Sequence, residues 1–300
     1  MDKFEAMQRF LLVAETRSFT QAAELLGLPK SSISAAIQSL EKRLGTRLFH
    51  RSTRSVTLTQ DGASYLSQCR TILDELDALE SQFQYDSDAV RGAIRIDMPS
   101  RFASNIVLPH LSEWLEVYPN TQLKISSADY LIDPVKEGID CLIRVGTLTD
   151  SSLIARPLAT LQIRNCASPD YLEKFSRPEC LADLEHHWLV DYSPKMGNSP
   201  AMFEYAEQGR VRQLPMASRL AVNGTDAYLA ACLAGLGIAQ TPLVGIKDYL
   251  RQGTLICVLP DLQAEPMPVS LLYPSRRQLP KRLSLFMEWL EALVRRLDIA

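Results

Sequence analysis

Hydrophobic and polar positions in the first 45 residues recur at the spacing of short helices. A first apolar stripe consists of Phe4, Met7, Leu11 and Ala14. Ser18 precedes Gln21 by three positions, a capping-box pattern that predicts a second helix running through Leu26. Gly27 favours a left-handed stop for that helix, and Pro29 suits the first turn of the next. Two helices joined by a tight glycine turn are typical of a helix-turn-helix.

The helix that follows Pro29 has one apolar face and one polar face. Its predicted buried stripe is Ile33, Ile37, Leu40 and Leu44. The outward side is predicted to carry Lys30, Ser31, Ser34, Ala35, Gln38 and Lys42. Further on, Val56 and Leu58 alternate with polar residues, which predicts one arm of a small hairpin. Five basic residues and no acid lie between positions 42 and 54, namely Lys42, Arg43, Arg47, Arg51 and Arg54.

A long helix is predicted after the hairpin, with Thr59 as its cap and Asp61 in its first turn. Its apolar positions step by four and three, as in a coiled coil, and are Tyr65, Cys69, Ile72, Leu76, Leu79 and Phe83. Such a seam either packs on its own domain or joins two copies of the chain. We favour a dimer, because the preceding domain is too small to cover the helix. The polar, acidic stretch 85–92 predicts a hinge.

From Gly92 onward, short apolar strands alternate with helical patterns. The predicted strands cover residues 93–98, 122–127, 141–146, 161–167, 188–192, 219–223, 237–241, 255–259 and 269–273. This alternation predicts an α/β fold with largely parallel sheets, and so many strands favour two lobes. The segment 198–208 is interpreted as a loop that lines the second lobe. The last helix, after Pro280, carries an apolar stripe that predicts core packing.

Composition changes this picture only through the distribution of charge. The 300 residues are 46% hydrophobic and 22% charged with a net charge of −3, which is ordinary for a globular protein. Residues 1–60, however, carry nine Lys and Arg against five Asp and Glu, whereas residues 61–300 carry 23 against 30. An anionic partner is therefore expected to meet the N-terminal part of the chain.

Several other function classes find no support. The first residues lack the apolar core of a signal peptide, and no run approaches the roughly 18 apolar residues of a membrane span. The six cysteines include no CxxC pair, which predicts buried, reduced thiols in a cytoplasmic protein. The side chains of adjacent His186 and His187 diverge, so neither a metal nor another cofactor is predicted. The sequence also lacks phosphate-loop, nucleophile-elbow and zinc-protease motifs, so an enzyme is not expected.

The N-terminal motifs resemble those of a known family. They are SFTQAAELLG, a serine-rich helix start, LEKRLGTRLF, RSTR and LTQDG, in that order. Together they resemble the winged helix-turn-helix of the LysR-type transcriptional regulators. The stretches 140–159 and 226–242 look like the effector domain of the same family, so the resemblance spans nearly the whole chain.

This resemblance implies a domain organisation and a set of partners. A largely α-helical winged helix-turn-helix at 1–59 would bind double-stranded promoter DNA, and residues 60–90 would form the linker helix and hinge. Residues 91–300 would form an effector domain of two α/β lobes, like a periplasmic binding protein. The first lobe would be 91–161 with 268–300, and the second 162–267. The family also implies a small-molecule inducer in the cleft, homotetramers that are dimers of dimers, and RNA polymerase as a further partner.

The predicted recognition helix departs from the common family pattern at two positions. Many members have Gln at the position of Lys30 and Arg at that of Ala35. Lys30 is suited to guanine, whereas Ala35 offers only a methyl group. The other predicted DNA contacts are Ser31, Ser32, Ser34, Gln38, Lys42, Arg43, Arg47, Arg51 and Arg54, of which the cations would neutralise phosphates. With fewer long side chains in the groove, DNA shape is expected to carry more of the specificity.

Effector-binding residues are predicted in loops that follow strands. Ser100 matches a position at which the family commonly has a hydroxyl that contacts the inducer, although it also suits a helix cap. The other candidates are Arg101, Phe102, Ser127, Arg144, Gly146, Asn223 and Thr225. Arg144 either clamps an inducer carboxylate or pairs with a local acid such as Asp140. A hydroxyl and N–H groups at a helix start favour an anionic inducer.

The sequence thus predicts a LysR-type regulator that binds a two-fold symmetric promoter site and responds to a small, anionic inducer. The alternative is a two-lobed small-molecule binding protein without DNA-directed regulation. An exported solute-binding protein would share the lobes, but would not carry the helix-turn-helix.

Overall fold

The computed structural model describes residues 2–51, 55–81, 90–127, 134–148, 153–194, 196–197, 199–274 and 279–299. The chain divides into two compact units, with the main boundary between Val90 and Arg91. The N-terminal unit is predominantly helical and the C-terminal unit is mixed α/β. Among the helices of the described residues, none combines the length and the apolar character needed to cross a membrane.

The N-terminal unit is a helix-turn-helix followed by a short hairpin and a long helix. Its elements are α1 (Lys3–Thr16), α2 (Phe19–Leu26), α3 (Lys30–Leu44), β1 (Phe49–Arg51), β2 (Val56–Leu58) and α4 (Gln60–Ser81). Ser18 caps α2, since its hydroxyl accepts a hydrogen bond from the Gln21 N–H at 3.2 Å. Gly27 ends α2 with a φ of 61°, and Pro29 is the N-cap of α3. The two predicted helices and the tight turn between them are therefore confirmed.

The core of this unit differs from the prediction in the phase of α1. Phe10 is fully buried, and its ring centroid lies 5.2 Å from those of Phe49 and Tyr65. Of the predicted stripe, Met7 and Ala14 pack half-buried against this core, whereas Phe4 is 40% exposed. The buried residues of α1 are Ala6, Phe10 and Val13. The large Phe10 ring, which the predicted stripe omitted, sets the face that α1 turns inward.

The buried face of α3 agrees with the prediction except at its end. Ile33, Ile37 and Leu40 are buried together with Ala36. Leu44, which was predicted to be buried, is instead 41% exposed. It is the last residue of the helix, next to the left-handed Gly45 with a φ of 71°. The helix therefore presents its buried face to the core only up to Leu40.

The start of α4 is held against the hairpin by a cap and a close backbone approach. The Thr59 hydroxyl accepts a hydrogen bond from the Gly62 N–H at 2.9 Å, so the predicted cap is confirmed. An ideal Cβ on Gly62 would lie only 2.0 Å from the carbonyl oxygen of Leu48. The residue must therefore be glycine for α4 to pack this closely.

The C-terminal unit contains one large sheet and several small ones. The first elements after residue 90 are β3 (Gly92–Asp97), α5 (Ser100–Phe102), α6 (Leu111–Val117), β4 (Thr121–Ser126), α7 (Pro134–Glu137), β5 (Cys141–Val145), β6 (Leu153–Leu161), β7 (Ile163–Ala167) and α8 (Pro169–Phe175). The others are β8 (Val190–Tyr192), β9 (Met202–Glu207), β10 (Arg210–Pro215), β11 (Leu220–Val222), α9 (Thr225–Leu233), β12 (Ala239–Pro242), α10 (Lys247–Arg251), β13 (Ile256–Cys257), β14 (Met267–Pro274) and α11 (Lys281–Leu297). Short turns of other helix types lie at Ala103–Val107, Leu108–His110, Leu181–His186 and Leu243–Gly245.

The sheets are mixed rather than largely parallel, which corrects the prediction. The large sheet has the order β4-β3-β5-β14-β6. Strand β3 pairs in parallel with β4 and β5, whereas β14 is antiparallel to both β5 and β6. The strands between residues 163 and 257 form separate sheets, of which β8 and β11 are parallel and β12, β7 and β13 antiparallel. Strands β6 and β14 precede and follow these smaller sheets along the chain. The antiparallel pairings of the large sheet are those of β14 with β5 and with β6.

The segment 198–208, predicted to be a loop, includes a strand. Strand β9 pairs with β10 in an antiparallel hairpin around Gln208 and Gly209. The side-chain amide of Gln240 docks this hairpin on the neighbouring sheet. It donates to the Glu204 carbonyl at 2.7 Å and accepts from the Glu204 N–H at 2.8 Å. One side chain thus replaces a pair of backbone ladder bonds.

Candidate DNA-binding surface and effector site

The outward face of α3 carries most of the predicted recognition residues. The exposed residues are Lys30, Ser31, Ala35, Gln38, Lys42 and Arg43, whereas Ser32 and Ser34 are half-buried. Ser31, Ala35, Gln38 and Lys42 step by four, three and four, so they form one continuous row. Ser39 is also exposed but was not among the predicted contacts. The row offers hydroxyl, methyl, amide and ammonium groups within one helix, which is a suitable set for contacts in the major groove.

Basic residues border this row where α3 meets the hairpin. Arg47 is exposed, and the Arg43 guanidinium lies near the Tyr65 hydroxyl. Burial raises the pKa of Tyr65, and the nearby Arg43 guanidinium opposes that shift. Arg54, also predicted to contact phosphate, lies outside the described residues. The cations that are described therefore extend the exposed row of α3 with positive charge.

Arg51 is held by a residue that the prediction missed. Its Nη2 donates to Glu41 Oε2 at 3.0 Å, and its guanidinium carbon lies 4.8 Å from the centre of the Phe19 ring. Glu41 Oε1 also accepts from the backbone N–H groups of Leu48 at 2.9 Å and Phe49 at 3.3 Å. The family-like motif LEKRLGTRLF contains this glutamate, but only the structure shows which groups it joins.

The predicted seam of α4 divides into two parts. Cys69 is fully buried in the core of its own unit, and Tyr65 packs against that core. Burial raises the pKa of the Cys69 thiol to about 12, so the thiol stays neutral. Ile72 and Leu79 are instead 40% and 51% exposed. Leu76 is half-buried, and Phe83 lies outside the described residues. The structure therefore adopts the own-domain alternative for the first turns, and leaves two seam residues at the surface.

In the C-terminal unit, three predicted effector residues lie at one edge of the large sheet. Ser100, Ser127 and Gly146 follow the carboxyl ends of β3, β4 and β5, which are parallel neighbours. Ser127 is exposed and Gly146 has a φ of 97°. Loop ends of adjacent parallel strands are the usual position of ligand sites in α/β folds.

The predicted residue Thr225, at the start of α9, contacts Ser100 at this edge of the sheet. The hydroxyl oxygens of Ser100 and Thr225, the first residues of α5 and α9, lie 3.0 Å apart in a hydrogen bond. Arg101 extends the contact, since it donates to Asp226 at 3.2 Å and to the Gly245 carbonyl at 2.6 Å. Asp226 and Gly245 were not predicted, although Asp226 directly follows Thr225 at the same helix start.

Three other predicted effector residues are placed differently. Phe102 is only 4% exposed, so it belongs to the core rather than to an open binding surface. Asn223 is exposed after β11. Arg144 is paired with neither an open site nor Asp140, because its Nη2 lies 2.6 Å from Oδ1 of the fully buried Asp97. The contact is an ion pair without the alignment of a good hydrogen bond.

Asp140 itself accepts a hydrogen bond from the Arg95 N–H at 2.8 Å. Of the two sequence-based roles for Arg144, the structure shows pairing with an acid, although this acid is Asp97 rather than Asp140.

The cysteines and histidines of the described residues form no candidate metal cluster. Five cysteines are buried or half-buried, as predicted, whereas Cys180 is exposed. The sulfur atoms of Cys166 and Cys232 lie 3.9 Å apart, and their hydrogen bond, together with burial, raises the pKa of Cys166. His187 is 3% exposed and bonds the Tyr171 hydroxyl at 3.1 Å. These contacts are those of core residues.

Comparison with known proteins matches both units. Residues 4–63 match the bacterial regulatory helix-turn-helix protein, lysR family, and residues 87–295 match the LysR substrate binding domain. The HTH-type transcriptional regulator YhjC of Escherichia coli is 44% identical over 98% of this chain and 99% of its own length. An HTH-type transcriptional repressor of Pseudomonas aeruginosa is 34% identical over 98% of this chain and 92% of its own.

A solved structure leads to the same family. CrgA, a LysR-type transcriptional regulator from Neisseria meningitidis, has a TM-score of 0.62 and 26% identity, with 97% of this chain and 98% of that chain covered. The helix-turn-helix, the mixed α/β unit and these matches agree. The chain belongs to the LysR family of DNA-binding transcriptional regulators, with an N-terminal helix-turn-helix and a C-terminal effector-binding domain.

Proposed function

We propose that the exposed face of α3 reads a two-fold symmetric promoter site and that a small anionic inducer modulates this binding from the C-terminal unit. The DNA-binding domain would comprise residues 1–59, the linker helix and hinge 60–90, and the effector domain 91–300. Within the last, 91–161 with 268–300 would be one lobe and 162–267 the other. The protein would act in the cytoplasm as a regulator without catalytic activity, with RNA polymerase as a further partner.

The observation that carries the DNA-binding proposal is the continuous exposed row of α3. Ser31, Ala35, Gln38 and Lys42 lie on it, with Arg43 and Arg47 beside them. Phosphate contacts by the cations supply affinity for any duplex, whereas the short side chains contact base edges. Lys30, at the first turn, is the longest of the proposed base-reading side chains and is suited to a guanine.

Two-fold symmetry is supported by the surface of α4. Ile72 and Leu79 are exposed apolar residues seven positions apart, which is the spacing of a coiled-coil seam. Pairing of two such helices would bury both, and would place two copies of α3 on successive turns of DNA. A dimer of these dimers would form the homotetramer.

The anionic inducer is supported by the chemistry around Ser100. Two hydroxyls, those of Ser100 and Thr225, face each other, and the Arg101 guanidinium lies beside Asp226 at the start of the nine-residue helix α9. Hydroxyl and guanidinium groups are suitable donors for a carboxylate. Such a ligand would compete for the hydrogen bond that Ser100 and Thr225 share.

Footprinting of the full chain on the DNA upstream of its own gene tests this proposal, with and without small carboxylic acids. The expected footprint shows two half-sites one helical turn apart, or a multiple of that spacing. A carboxylate that changes the footprint should lose its effect in Ser100→Ala, while the variant still binds DNA. A single asymmetric half-site would contradict the symmetric dimer. Specific binding of a small acid without any DNA retention would favour the two-lobed binding protein without DNA-directed regulation.

A further inference from the structure

The pairing of Glu41 with Arg51 joins three elements of the helix-turn-helix. Glu41 belongs to α3, Arg51 ends β1, and Phe19, beneath the guanidinium, begins α2. The Glu41 side chain is 14% exposed and that of Arg51 is 33% exposed. The carboxylate is thus largely shielded, while the guanidinium keeps one side open to a partner.

Glu41 uses both carboxylate oxygens. Oε1 accepts the N–H groups of Leu48 and Phe49, where β1 begins, and Oε2 accepts from Arg51, where β1 ends. Charge-assisted hydrogen bonds of this kind are stronger than neutral ones. The recognition helix therefore fixes both the backbone of the hairpin strand and the direction of its last cation.

We propose that Glu41 is a positioning residue for DNA binding, which holds the Arg51 guanidinium in the orientation that meets a phosphate. Free arginine side chains lose much rotamer freedom when they bind. Glu41 and Phe19 restrict the rotamers of the Arg51 side chain before DNA binds. The inference rests on the proposed contact of Arg51 with the DNA backbone.

If Glu41 positions Arg51, the change in DNA affinity on Glu41→Gln should be opposite in sign to the change expected from charge alone. Glu41→Gln removes a negative charge from a surface that faces a polyanion, so charge alone would tighten DNA binding. Loss of positioning would weaken it, because Arg51 must then be ordered during binding. Glu24→Gln is the matched control, since Glu24 is an exposed residue of α2 in the same unit and the substitution changes the charge equally.

The experiment measures the affinity of the full chain for a mixed-sequence duplex as a function of salt. Compared are the wild type, Glu41→Gln, Glu24→Gln, Arg51→Ala and the double variant of Glu41→Gln with Arg51→Ala. We expect Glu41→Gln to weaken binding about two- to tenfold, the fold-change that corresponds to ordering one long side chain. Glu24→Gln should leave affinity unchanged or raise it. In the Arg51→Ala background, Glu41→Gln should no longer weaken binding.

Three results would overturn the proposal. Tighter binding by Glu41→Gln, like that of the control, would show that charge alone governs the effect. Equal weakening with and without Arg51 would show that Glu41 acts through the hairpin backbone instead. An unchanged affinity and salt slope in Arg51→Ala would show that Arg51 does not contact a phosphate. The proposed recognition by α3 would be unaffected by that result.

Phe19→Leu provides a second route if Glu41→Gln folds poorly, because it removes the ring beneath the guanidinium and keeps every Glu41 bond. It should weaken DNA binding when Arg51 is present and have no such effect in Arg51→Ala. Weakening of equal size in both backgrounds would contradict positioning through Arg51.

Discussion

At the scale of single residues, Gly62 has the least tolerance for a side chain. Alanine normally stabilises a helix by about 1 kcal/mol relative to glycine. Here a Cβ would meet the Leu48 carbonyl oxygen at 2.0 Å, so the sign should reverse. We expect Gly62→Ala to reduce the free energy of unfolding by about 1–3 kcal/mol, as overpacking does. Chemical denaturation followed by circular dichroism measures the change.

Gly197→Ala serves as the control for this substitution. Apart from the glycine and its neighbours in the chain, no atom of the described residues lies within 4 Å of the position that its Cβ would occupy. Its unfolding transition should stay close to that of the wild type. A Gly62→Ala variant as stable as wild type would show that α4 can move away from the hairpin at little cost.

Because His187 is buried, the stability of the folded protein should depend on pH. The Trp188 N–H donates to the Tyr171 hydroxyl, whose oxygen also shares a hydrogen bond with Nδ1 of His187 at 3.1 Å. Burial lowers the pKa of His187 below its ordinary value of 6.5. The unfolded chain therefore binds a proton more readily, so stability is full above that value and falls as the pH decreases below it.

His187→Gln should remove this component of the acid sensitivity. A single group contributes at most about 1.4 kcal/mol of stability per pH unit. Unfolding free energies measured at a series of pH values from about 7 to 5 would reveal the loss of slope. His186→Gln, at the exposed neighbouring position, should change the slope less, because burial lowers the pKa of His187 more than the charge of His186 does. An equal slope in both variants would refute the assignment to His187.

At the scale of elements, one amide strengthens the docking of the β9–β10 hairpin, which the hydrogen bond from the Ala206 N–H to the Gln263 carbonyl also holds. The Nε2 atom of Gln240 donates to the Glu204 carbonyl and to Oδ1 of the fully buried Asn165. Gln240→Glu replaces this donor with an oxygen that faces two acceptors. We expect a loss of about 1–3 kcal/mol in stability, together with faster hydrogen exchange in the hairpin.

Gln122→Glu makes the same substitution at an exposed position of β4 and should have little effect. Partial recovery of Gln240→Glu at low pH is also expected, because a protonated carboxyl can again donate. Unchanged exchange in the hairpin amides would mean that other contacts hold it.

Helix ends were predictable because their signals are local. The Ser18 cap, the Gly27 stop and the Thr59 cap each depend on residues within a few positions, and each is confirmed.

Strand β6 was missed except at its end, because Arg156 and Pro157 interrupt its apolar pattern. Pro157 is accommodated where the register between β6 and β14 shifts, at Val269 and Ser270, an irregularity that tolerates a residue without an N–H.

At the scale of the whole molecule, what the sequence could not supply is long-range pairing. Strand β14 joins β5 and β6 although more than 100 residues separate them along the chain. Local periodicity contains no information on such partners, so the antiparallel half of the large sheet was not predicted. The same limit applies to the ion pair of Arg144 with Asp97, whose two residues come from different strands.

In the candidate sites, too, local patterns predict single residues but not the contacts between residues far apart in the chain. The exposed row of α3 follows from helical periodicity, so nearly all its members were predicted. Ser100 and Thr225 were predicted only as two separate residues and not as a hydroxyl pair, because they are 125 positions apart in the chain. Family resemblance indicated Ser100, the position after a predicted strand indicated Thr225, and the structure supplied the contact.

In the proposed mode of DNA binding, α3 reads base sequence while the neighbouring cations bind the phosphate backbone. The most direct test is the ratio of affinities for the DNA upstream of its own gene and for a mixed-sequence duplex, across a salt series. For the wild type, we expect a ratio of at least about 10³. Lys30→Ala should lower that ratio about 5- to 150-fold, as loss of one base contact does. Arg47→Ala should instead weaken both complexes together and reduce the salt slope by about 0.9. A wild-type ratio near one, or equal losses of ratio in the two variants, would contradict the account.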